Sequence, residues 1–239
     1  MEYMRNVGST ITVSQARAEA STLFLAKVFK WMAIGLGLTG LVAFMVANST
    51  AALQLIFGNR LLFFGLIIGE LALVFSLSAR IQKISAKTAT ILFLAYSALN
   101  GVTLSAILLL YTATSVAATF FITAGMFGAM AVYGLVTKKD LTSMGSFMFM
   151  GLIGMVIASV VNIFLASPMM SWLISGIGVI VFTGLTAYDV QRITAMGTQG
   201  IMEQGEVAIR KGAIMGALAL YLDFINLFLS LLQFLGDRR

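Results

Sequence analysis

Three carboxylates lie inside apolar runs: Glu70 in FGLIIGELALVF, Asp189 in TGLTAYDVQRI and Asp223 in LALYLDFINLFLSLL. A carboxylate at bilayer depth costs at least ~2.5–3.5 kcal/mol on insertion scales, so such groups face an interior and find partners. Their chemistry there is narrow. A buried acid takes up and releases a proton. Two acids in one dry cavity do not both ionise readily, so the pair shares one proton. A divalent cation would hold both in the charged form, and hard carboxylate oxygens suit Ca²⁺. The alternative is structural: each acid is neutral, hydrogen-bonded and merely packed, with Asp189 capping a helix end at the headgroups.

The elements that position these acids must be membrane helices. Of 239 residues, 60% are hydrophobic, 10% are charged and one is proline. That leaves too little polar surface for a soluble domain. The apolar runs are solid and do not alternate, which excludes a transmembrane β-barrel. A span needs roughly 20 apolar residues, and the chain offers seven such runs, at about 28–48, 61–79, 88–110, 115–136, 146–166, 169–190 and 212–235. The fold class expected is an all-α polytopic membrane protein, with residues 27–239 as one seven-helix domain. Residues 1–26 carry mixed charges and lack the apolar core of a signal peptide, so they read as a cytosolic N-terminal segment.

Lys and Arg are distributed unevenly. Arg5, Arg17, Lys27, Lys30, Arg80, Lys83, Lys87, Lys138, Lys139, Arg192, Arg210 and Lys211 fall on one side of the predicted topology. Arg60, Arg238 and Arg239 fall on the other. This bias predicts a cytosolic N-terminus and a C-terminus outside. It accounts for the basic balance through anionic lipid headgroups and without nucleic acid. Cysteine and histidine are absent. Disulfides and thiolate or imidazole metal sites are therefore excluded, and any pH response falls to carboxylates.

On the seventh span, Gly212, Gly216, Ala219, Asp223, Asn226, Ser230 and Gln233 recur at spacings of four and three. They form one stripe on a helix. The Gly/Ala half suits a packing seam; the polar half suits a lined pathway. Asp223 lies ~16 Å along its helix from residue 212 at 1.5 Å per residue. Glu70, ten residues from Arg80, sits at similar depth. All three acids can thus line one cavity in the cytosolic half. Arg80, in SLSARIQKIS, is the basic residue topologically nearest the end of the sixth span. It is either one more interfacial anchor or an ion-pair partner for Asp189.

The segments AYDVQRI at 187–193, LALYLDFINLF at 218–228, SALNGVTLS at 97–105 and GELALVFSLSAR at 69–80 resemble, in order and across essentially the whole chain, the transmembrane Bax inhibitor motif family. Val190 departs from the Thr that many members carry after the aspartate. The resemblance implies seven helices, with two three-helix layers around a central C-terminal helix. It also implies a pH-sensitive Ca²⁺ leak governed by an aspartate pair, here Asp189 and Asp223. Arg80 would be the latch, Glu70 the second-helix acid, and Asn100, Asn226 and Ser230 lining residues. Ca²⁺ and protons are then the permeant or bound ions, no cofactor is needed, and the setting is a bacterial inner membrane. Because protonation frees the latch yet weakens cation binding, flux should peak at intermediate pH.

A different class of function stays open beside the leak. Some bacterial members of the family are associated with restraining a membrane-embedded protease, so the alternative is a regulatory protein that binds and restrains such a protease, with the exposed residues 1–26 as the segment whose deletion would discriminate the two. A proton-coupled transporter would use the same acids as a relay. A retinal receptor is excluded, because residues 212–235 contain no lysine for a Schiff base. An intramembrane aspartyl protease would need a GxGD-type sequence, and YLDFINL supplies none. No enzymatic activity is expected.

Overall fold

Within lipid, a chain satisfies its backbone polar groups inside its own helix. The computed structural model describes residues 2–239, with side chains from residue 15 onward. Its helices are α1 (Glu2–Ala47), α2 (Thr50–Phe57), α3 (Arg60–Arg80), α4 (Ala86–Leu110), α5 (Ala113–Val136), α6 (Thr142–Leu165), α7 (Pro168–Thr198) and α8 (Glu206–Leu235), with a 3-10 turn at Ile201–Glu203. All but the short α2 are long and apolar enough to cross a bilayer. Their starts are set by local chemistry. Ser49, Asn59, Ser85, Thr112 and Ser167 each accept a hydrogen bond from a first-turn amide. Pro168, with no N–H to offer, occupies the first turn of α7.

Seven spans match the seven apolar runs, but three helix ends differ from expectation. α7 continues to Thr198 instead of stopping near 190, and α8 starts at Glu206 instead of 212. Hydropathy sees only the hydrocarbon-buried part of a helix, while polar residues carry the helix onward into the headgroups. α1 likewise runs straight through the segment expected to stand apart as residues 1–26. Ser21, Phe24 and Leu25 are buried in the bundle, and the Ser21 hydroxyl donates to the Thr194 carbonyl at 2.9 Å.

α8 is the centre of the bundle. Its buried residues include Gly212, Ile214, Gly216, Leu220, Tyr221, Asp223, Leu227 and Leu231. It packs against α1 and α4 on one side and α5 and α7 on the other. α3 joins the first group through α4, and α6 joins the second through α7. The two three-helix layers follow from that arrangement. Outward faces carry Phe64, Phe75, Ile163 and Phe164, all exposed, as lipid-facing residues should be.

Two glycines set the approach of neighbouring helices. A side chain at Gly134 would run into the backbone carbonyl of Ala187, and one at Gly145 into the ring of Tyr188. Both bring a helix of the second layer against the turn of α7 that carries Asp189. At the far end, the tail after α8 crosses the α4–α5 turn. Thr112 N–H donates to the Asp237 carbonyl at 3.1 Å, and Arg239 N–H donates to the Leu110 carbonyl at 3.0 Å.

Candidate functional site: an aspartate pair between two helices

Asp189 and Asp223 lie where α7 packs on α8, close enough for each carboxyl to act on the other. Asp223 is only 4% exposed, and its Oδ2 has no hydrogen-bond partner among the described residues. A buried oxygen of that kind is costly unless a proton, a cation or a water meets it. Asp189 is better served. Nη1 of Arg192 lies 3.6 Å from its Oδ1. The same guanidinium stands over the Tyr188 ring, 5.8 Å from its centre, and its side chain is 54% exposed. The pair therefore has a sealed member, Asp223, and a member reached by a cation at the bundle surface, Asp189.

Arg192 is the residue that sequence reasoning missed. Its signal is the i, i+3 spacing in DVQR, readable only if the helix continues past residue 190. Arg80, expected as the latch, ends α3, is exposed, and makes no ion pair among the described residues. The reason is topological. α3 packs mainly on α4, whose other neighbours are α1 and α8 and not α7.

Glu70 lies apart from the pair. Its Oε1 accepts from Thr103 Oγ1 at 2.9 Å, tying α3 to α4. Nearby, Thr39 Oγ1 donates to the Ser97 carbonyl or shares its proton with Tyr221 OH at 2.7 Å. Tyr96 meets the Tyr221 ring edge-on at 5.7 Å. Tyr221 and Asp223 are two residues apart on a helix, so they point to different faces. The single cavity expected for all three acids is instead two polar clusters on opposite sides of α8. Of the predicted lining residues, Asn100 is buried with its Oδ1 unpartnered. Asn226 returns its amide to the Leu222 carbonyl of its own helix at 2.8 Å, and buried Ser230 lies against Gly178 of α7.

An apolar cleft of about 580 Å³ begins one residue beyond Asp223, at Phe224 and Ile225, and runs past Leu36, Gly40 and Phe120 to Arg239 at the far end. The pair thus lies between this cleft and the end of the bundle that carries Arg192. Two carboxylates suffice to hold a proton between them. For Ca²⁺, which takes six to eight oxygens, they supply only part of a shell, since no cluster of three acids forms among the described residues.

The α5–α6 turn gives a pH effect outside the membrane. Asp140 accepts from the Thr142 hydroxyl at 2.6 Å and from its N–H at 2.9 Å. These bonds hold its carboxyl below the usual aspartate range. The stability they lend the start of α6 is present above that range and is lost as pH falls through the lowered value. The thermal midpoint of Asp140→Ala should lie slightly below that of the parent at pH 7, and the difference should shrink as pH falls below the ordinary aspartate range.

A family model described as "Inhibitor of apoptosis-promoting Bax1" matches residues 21–239. The chain is 54% identical to the inner membrane protein YbhL of Escherichia coli K12, over 95% of this chain and 97% of that one. It is 50% identical to an uncharacterized protein of Borreliella burgdorferi, over 90% and 92%. It is 44% identical to the uncharacterized protein RP147 of Rickettsia prowazekii, over 100% and 99%.

Proposed function

The chain belongs to the Bax inhibitor-1-like family, and from that premise we propose that it is a multi-pass inner-membrane protein acting as a pH-sensitive Ca²⁺ leak, gated by protonation of Asp189 and Asp223. The observation that carries this reading is Asp223: a fully enclosed carboxyl facing a second carboxyl, with one oxygen left without a partner. A packing role would favour a closed hydrogen-bond set at such a position. In the leak reading, the pair binds a passing cation when ionised. Protonation releases Arg192 from Asp189 and frees α7 to shift against α8. In this reading Arg192, the ion-pair partner of Asp189, takes the latch role expected of Arg80. The N-terminus is cytosolic and the C-terminus outside, by the distribution of Lys and Arg. No step of this reading needs catalysis or a cofactor.

The test is Ca²⁺ influx into dye-loaded liposomes from pH 5 to pH 8. The parent should leak with a maximum at intermediate pH, and Asp189→Asn or Asp223→Asn should flatten the profile. Influx no greater than in protein-free liposomes, from protein shown to be folded, would sink the leak and turn attention to a partner-binding role.

A further inference from the structure

Away from the aspartate pair, a pocket of about 480 Å³ opens between α1 and α8. Lys27, Lys30 and Trp31 line it from α1; Glu206, Ile209 and Arg210 line it from the first turns of α8. Lys27 and Lys30 are three apart and share a face of their helix. Arg210 is held in place. Its Nε donates to Thr90 Oγ1 at 3.1 Å, and its guanidinium lies over the Trp31 ring, 5.8 Å from the centre. Three cations therefore converge on one cavity against a single carboxylate, Glu206.

The walls narrow the choice of anion. Ile209, Ala213 and the Trp31 ring give the pocket an apolar side next to its cationic one. A soluble phosphate would use only the cations. A phospholipid uses both, with its phosphate among Lys27, Lys30 and Arg210 and its chain along the flank of the bundle. A basic pocket between membrane helices, beside an interfacial tryptophan, is the surface that anionic headgroups recognise.

We propose that this α1–α8 pocket binds one anionic phospholipid, its phosphate held by Lys27, Lys30 and Arg210. Such a lipid bridges α1 to the foot of the central helix. The inference does not depend on the leak reading, and its test does not measure flux.

Trp31 is a reporter built into the site. The chain has two tryptophans, and Trp172→Phe leaves Trp31 as the only emitter. The full chain would be reconstituted in phosphatidylcholine vesicles doped with an equal fraction of brominated phosphatidylglycerol or brominated phosphatidylcholine. Quenching of Trp31 should indicate enrichment of the anionic lipid by roughly fivefold per cation engaged, from the worth of one basic side chain at an anionic surface. Lys27→Gln with Lys30→Gln should remove most of that preference and leave the Arg210–Trp31 contact intact, whereas Lys27→Arg with Lys30→Arg should retain it. Equal quenching by the two brominated lipids in the parent would overturn the proposal. So would loss of the preference on adding inorganic phosphate at constant ionic strength, which would assign the pocket to a soluble anion.

Discussion

Gly134→Leu is expected to lower stability by about 3 kcal/mol, the upper end of what overpacking costs, and to do so beside the aspartate pair. The obstacle to the new side chain is the backbone carbonyl of Ala187, and backbone cannot rotate aside as a side chain would. α5 must therefore back away from α7, two residues from Asp189. The thermal midpoint in detergent reports the loss. Gly40→Ala and Gly125→Ala are the controls, because a Cβ there meets nothing within 4 Å. They should be neutral or stabilising by up to ~1 kcal/mol, the helix-propensity difference between Gly and Ala. A Gly134→Leu protein that melts with its parent would refute the close approach of α5 to α7.

Arg192→Gln should shift the pH profile of the leak, and Arg80→Gln should not. At 3.6 Å, the Arg192 guanidinium is the ion-pair partner of Asp189. Removing it takes away the cation beside the pair, so the pH profile should change, whereas the surface position of Arg192 lets water screen part of the effect. Arg80 sits across α4 from the pair, and its loss should alter flux by less than the scatter between preparations. The measurement is the liposome influx profile of the two variants beside the parent. A shift in Arg80→Gln with none in Arg192→Gln would restore Arg80 as the latch and require a conformation in which α3 reaches α7.

Much of the architecture was legible because lipid forces a simple correspondence between apolar length and helix. Seven runs became seven long helices, and the central place of the last helix, implied by the family resemblance, agrees with its stripe, whose Gly212, Gly216 and Asp223 are buried. What the sequence hid was what depends on packing. The depth estimate placed Asp189 at a helix end, since polar Gln191 and Arg192 follow it; in the structure α7 runs nine residues further, so Asp189 lies ~13 Å inside its end. That extension also made Arg192 its neighbour, a pairing read from helix continuity and not from hydropathy. Glu70 was grouped with the aspartates on depth alone. Depth says nothing about azimuth, and α3 carries Glu70 to α4 instead. The basic pocket was equally out of reach, because Lys27 and Arg210 are far apart along the chain and only the α1–α8 contact joins them.

The position of α8 at the centre of the bundle has a consequence for how the protein is made. α8 follows every other span in order of synthesis, yet it is the helix on which both layers pack. The six earlier spans are therefore complete in sequence before the helix that both layers pack on has been made. Throughout that interval Asp189 has no carboxyl partner, and Arg192, already synthesised three residues later, is the charge at hand to accompany it. The ion pair on α7 can form within its own helix, before the carboxyl pair between α7 and α8 exists. A chain stopped before residue 206 would hold six of its seven spans and lack the helix at its core.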